Sequence, residues 1–218
     1  MPELVTIPIS YFEVAINYER PVFQLWIDRA TVLQGIFDAL KPWNPHINDT
    51  EPRNEGKPSE QGIVVKLPLK RASFFFGPAT CKFSRDDADW SSADETIAIL
   101  DAALTALTLF GHVVLGKKST ALNLHIQPQT LAFMDLLSPF VPRELAAIES
   151  QPIRTMASVA KWENRKVTID GSGALANGLF LRLERDFEAG ATYEEIASQL
   201  RRDEAELFTI IGIEEDRG

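Results

Sequence analysis

The segment GHVVLGKKST, residues 111–120, carries the residue types of a phosphate-binding loop. Gly111, Gly116 and Lys117 fill G-x-x-x-x-G-K, whose backbone N–H groups cradle phosphates and whose lysine neutralises them. The next position should be Ser or Thr, to ligate magnesium. Here it is Lys118, and Ser119 comes one place late. His125 follows, a residue type suited to proton transfer. Lys117, Lys118 and His125 therefore form a candidate anion-binding set, which would make the chain a small-molecule or nucleotide-binding protein, or an enzyme. The order of elements argues against the phosphate loop. Such a loop sits between a strand and a helix N-terminus, whose N–H groups hold the anion. Here a helical stretch precedes Gly111 and a strand follows Ser119, so GKKS reads as a turn and Gly111 as a helix stop.

Other residues could do chemistry. Asp86, Asp87, Asp89, Asp94 and Glu95 crowd one run. Counted from Asp87 as a calcium loop, position 6 is Ser92 rather than Gly and position 12 is Ala98 rather than Glu. The plainer reading is a strand-to-helix loop whose acids favour the helix N-terminus. His112 and His125 would meet only if the turn between them made a hairpin. Ser172 lies in GSG without the G-x-S-x-G elbow, which reads as a turn. Cys81 is the sole cysteine, so the chain forms no internal disulfide and no cysteine zinc site; it reads as a small buried hydrophobe. Phe74, Phe75 and Phe76 invite a base-stacking platform, but consecutive strand residues point to opposite faces.

These residues must be placed by elements. Residues 4–18 are rich in β-branched and aromatic side chains and predict a strand. Pro21 opens a helix reaching Leu40. Residues 41–62 hold four prolines and two glycines and predict a long loop, its base pinned by Trp43, with His46 also in it. Strands follow at 63–70, 71–76 and 79–84. Ser92 and Glu95 make a capping box, with Ile97, Leu100, Leu104 and Leu107 as the apolar stripe behind it. Residues 119–128 alternate as a strand. This order predicts an α+β fold: residues 1–128 as a ferredoxin-like, split βαβ unit, an antiparallel sheet with helices on one face. Residues 129–218 predict a second, smaller α+β unit: helical connectors over 129–150, a three-stranded meander, a helix from Thr192 capped by Glu195, and a last helix over about 203–212. Those two helices resemble a helix-turn-helix in spacing. However, Arg201 stands at the usual turn glycine, and Asp203, Glu204 and Glu206 would face phosphates, so a DNA-associated module is disfavoured.

The run FFFGPATCKFSRDDADWSSADETIAILDAALTAL resembles a sporadically distributed, functionally uncharacterised family of bacterial proteins. The resemblance covers about residues 60–130. It rests on the strand pair around Gly77-Pro78, Trp90 at the helix entrance, and the helix that follows. It implies no activity.

The chain has 218 residues, 45% hydrophobic and 24% charged, with net charge −9. Residues 1–128 carry 12 basic and 15 acidic side chains; residues 129–218 carry 10 and 16. Nucleic-acid binding rests on neutralising phosphates, so this balance disfavours it. There is no run of about 18 apolar residues and no signal-peptide pattern at the start, so a cytoplasmic protein with no membrane association is expected. No coherent catalytic set, metal site or cofactor motif emerges. The expectation is a non-enzymatic protein-binding or regulatory module with a protein partner, or a homodimer. The expected contact surface is Trp43 and His46 of the loop with Asp86, Asp87 and Asp89.

Overall fold

The structure is a computed structural model, and it describes residues 2–23, 27–53, 56–57, 61–140 and 157–216. The β-branched and aromatic runs become strands β1 (Glu3–Tyr18), β2 (Thr50–Arg53), β3 (Gly62–Leu67), β4 (Ala72–Phe76), β5 (Thr80–Asp86), β6 (Leu115–Pro128), β7 (Ser158–Lys161), β8 (Arg165–Gly171), β9 (Leu179–Phe187) and β10 (Ile213–Glu215). The helices are α1 (Arg29–Leu40), α2 (Ala93–Gly111), the short α3 (Phe133–Leu137) and α4 (Tyr193–Ile211). The strand order is β2-β3-β4-β5-β1-β6-β9-β8-β7, with β10 added parallel to the start of β1. The fold is α+β with an antiparallel sheet. Its strand order is longer and more complex than the split βαβ arrangement expected.

Two compact units share this chain. One comprises residues 11–120 and 186–197 and is called the groove unit below; the other comprises 1–10, 121–185 and 198–218. In the groove unit, β1 pairs with β5, β5 with β4, β4 with β3 and β3 with β2, all antiparallel. Alternation then does what it must. Phe74 and Phe76 are buried with Phe83, while Phe75 leaves by the other face. The Phe75 ring blocks any side chain at Gly62 or Gly77 and lies under the Arg53 guanidinium, 5.8 Å away. Val32, Ile36 and Leu40 of α1 and Ile99, Leu100, Ala103, Leu104 and Leu107 of α2 complete this core.

The second unit holds the expected meander: β7 pairs with β8 and β8 with β9, both antiparallel. Val167, Ile169, Leu179, Leu181 and Leu183 are buried, as are Leu200, Leu207 and Ile211 on α4. The Glu3 carboxylate closes a corner of this unit. It accepts from the backbone N–H groups of Thr130 and Leu131 and from the Thr130 hydroxyl. These donors hold it below the usual carboxylate range.

Several local expectations are corrected. GKKS is not a turn, because Gly116, Lys117 and Lys118 already belong to β6. A Cβ at Gly116 would stand 2.9 Å from the Asn17 carbonyl oxygen, so the glycine serves close strand approach. The helix stop is His112, in the left-handed conformation at φ 50°, and Gly111 is the buried last residue of α2. The Ser92–Glu95 box does not form, because the Glu95 carboxylate turns to Lys70 at 2.6 Å and Arg85 at 3.2 Å. Instead, Asp89 accepts from the Ser92 N–H at 2.9 Å. The 41–62 stretch is not wholly loop: it contains β2, with Pro52 on an outer strand where no ladder N–H is needed. The two C-terminal helices are one 19-residue helix, α4, so no turn separates a first from a second helix. The Thr192–Glu195 box does form, with Thr192 N–H on Glu195 at 2.9 Å and Glu195 N–H on Thr192 Oγ1 at 3.2 Å. Of the expected helical connectors over 129–150, α3 falls in the first part, and residues 141–150 lie outside the described residues.

Candidate functional site

The structure separates the sequence-derived anion set. Lys117 and Lys118 are consecutive on β6, so they leave opposite faces. Lys117 is exposed and pairs with Glu188 at 3.1 Å. Lys118 is only 4% exposed. Its Nζ donates to the carbonyls of Ala189 at 2.5 Å and Ala191 at 2.9 Å, and lies 5.6 Å from the Tyr193 ring centroid. Burial lowers its pKa. This ammonium ties the chain at 189–191 to β6. His125 belongs to the second unit and accepts or donates at Nδ1 with Ser172 Oγ, 2.8 Å away. The Ser172 oxygen also accepts from the N–H groups of Ala174 and Leu175, at 3.1 and 3.0 Å. Ser172 thus closes the 172–175 turn while meeting His125. β6 is continuous, so no hairpin brings His112 to His125.

The expected partner surface is also largely engaged within the chain. Trp43 packs partly buried against the core of the groove unit. His46 is exposed, and its Nδ1 accepts from the Asn48 N–H at 3.1 Å. Asp87, in a left-handed turn, pairs with Arg71. Asp89 is held by Ser91 and Ser92, and the Ser91 hydroxyl foremost lowers its pKa. Asp86 is exposed. Among the described residues, no three His, Cys, Asp or Glu side chains converge as a metal would require.

The feature that motif reading missed lies between α1 and α2. A groove of about 480 Å³ is lined by Gly35, Asp38, Ala39, Asp101, Ala102, Thr105, Ala106, Leu109 and Phe110. Small residues make the floor: a Cβ on Gly35 would fall 2.2 Å from the Phe110 ring, so the ring rests on bare helix backbone. Leu109 is 64% exposed and Phe110 45%. Asp38 and Asp101 stand at the groove's edge, both exposed. Partial burial, and then the charge of Glu194 in the first turn of α4, raise the pKa of Asp101. The available signal was α2 itself. Its sequence is apolar beyond one stripe, and Leu109 and Phe110 fall off the core-facing side.

No protein-family model matches this chain, and no curated protein matches it in sequence. No helix among the described residues is long and apolar enough to cross a membrane.

Proposed function

We propose that this protein is a non-enzymatic binding module that receives a segment of a partner protein in the α1/α2 groove. One observation carries the reading: Leu109 and Phe110 remain exposed beside a floor of Gly and Ala. Exposing two large apolar side chains there forgoes burial at about 25 cal/mol per Å². A partner's apolar face recovers it. The groove lies between two packed helices, the geometry in which amphipathic helices dock. α1 has 12 residues, about 18 Å of helix, so the contact spans roughly three turns of a partner.

The reading is tested by panning the purified protein against displayed random peptides. Convergent amphipathic sequences whose binding is lost in Leu109→Asp are expected. Absence of a convergent binder, or binders indifferent to Leu109→Asp, would reject it.

A further inference from the structure

We propose that the groove's occupant is a basic amphipathic helix, whose lysine or arginine side chains meet Asp38 and Asp101 while its apolar face covers Leu109 and Phe110. This rests on the docking reading above and specifies the partner's chemistry.

Charge carries the argument. Four acids of the groove unit form ion pairs: Glu51 with Lys66, Glu95 with Lys70 and Arg85, Asp87 with Arg71, and Glu188 with Lys117. No lysine, arginine or histidine lines the groove, and neither Asp38 nor Asp101 has an ion pair among the described residues. Asp38 accepts from the Gln34 amide at 3.1 Å. Partial burial first, and the charge of Glu194 second, disfavour the ionised form of Asp101. An apolar trough edged by unmatched carboxylates selects a cationic guest and repels an acidic one. A second copy of this chain, at net charge −9, would add to the repulsion.

The test uses fluorescence anisotropy with two labelled synthetic helices. Both carry leucines at i, i+3, i+4 and i+7 spacing. One is flanked by lysines and the other by glutamines. With two rim pairs, the lysine peptide should bind about fivefold tighter at low salt, and the preference should fade as salt screens it. In Asp38→Asn/Asp101→Asn the preference should collapse while the glutamine peptide binds as before. Equal binding of both peptides to the unaltered protein would overturn the charge inference and leave the docking reading intact. Failure of both at millimolar concentration would remove the docking reading and the inference together. A dimer in sedimentation equilibrium that Leu109→Asp disperses would assign the groove to a second copy, again overturning the inference.

Discussion

Gly35→Ala has an effect whose sign depends on Phe110. The three atoms nearest a Cβ at position 35 all belong to that ring, at 2.2, 2.5 and 2.7 Å. The ring must therefore leave its seat. Phe110 is 45% exposed, so just over half of its surface is buried. For an aromatic of this size that is roughly 100 Å², or about 2.5 kcal/mol if all is lost. Alanine in place of glycine within a helix returns about 1 kcal/mol. The single substitution should therefore destabilise by about 1.5 kcal/mol, lowering Tm by roughly 3–6 °C in a chain this long. In a Phe110→Ala background the obstacle is gone, and the same substitution should stabilise by about 1 kcal/mol. Urea unfolding of the four proteins gives the coupling directly. If Gly35→Ala has the same sign and size in both backgrounds, Phe110 does not rest on Gly35, and the groove's floor is not as described.

Other expectations concern buried polar groups. Lys118→Met should cost about 2 kcal/mol, since it leaves two carbonyls without their charged donor, whereas Lys117→Met should change stability by less than about 0.5 kcal/mol. Chemical denaturation of the pair checks this. Tyr18 is buried, and its hydroxyl has no hydrogen-bond partner among the described residues, so Tyr18→Phe should be neutral or stabilise by about 1 kcal/mol in the same assay. Glu3 has a lowered folded pKa, so its stabilisation is present above the ordinary carboxylate range and lost as pH falls through the folded value. Glu3→Gln should therefore lower Tm at pH 7, and the gap to the unaltered protein should close on acidification.

Strand content was legible wherever side-chain alternation and turn residues agree. β3, β4 and β5 follow the Phe run and the Gly77-Pro78 turn, and the meander follows Asn164 and the glycine-rich turn before β9. Legibility failed where tertiary contacts outvote local chemistry. Gly116 resembles a turn glycine but is required by the approach of Asn17 across the sheet. Asp203 reads in sequence as an exposed acid that would face phosphates but is buried in α4, accepting from Arg185 Nε and Nη2 and from Gln199. Motif spacing put Lys118 in an anion site, yet a strand's two faces send it inward and Lys117 outward. The groove had no motif to show. It exists because α1 presents Gly35 and Ala39 to the side of α2 that carries Ala102, Ala106 and Phe110, a pairing no single segment encodes.

Docking of a partner segment in the α1/α2 groove is tested most directly by amide chemical-shift mapping during titration with a groove-binding lysine-flanked helix. Shifts should concentrate at Gly35, Asp38, Asp101, Thr105 and Phe110, with Trp43, His46 and Asp87 unmoved. Shifts centred on the 41–53 segment and Asp86–Asp89, with α1 and α2 silent, would contradict it.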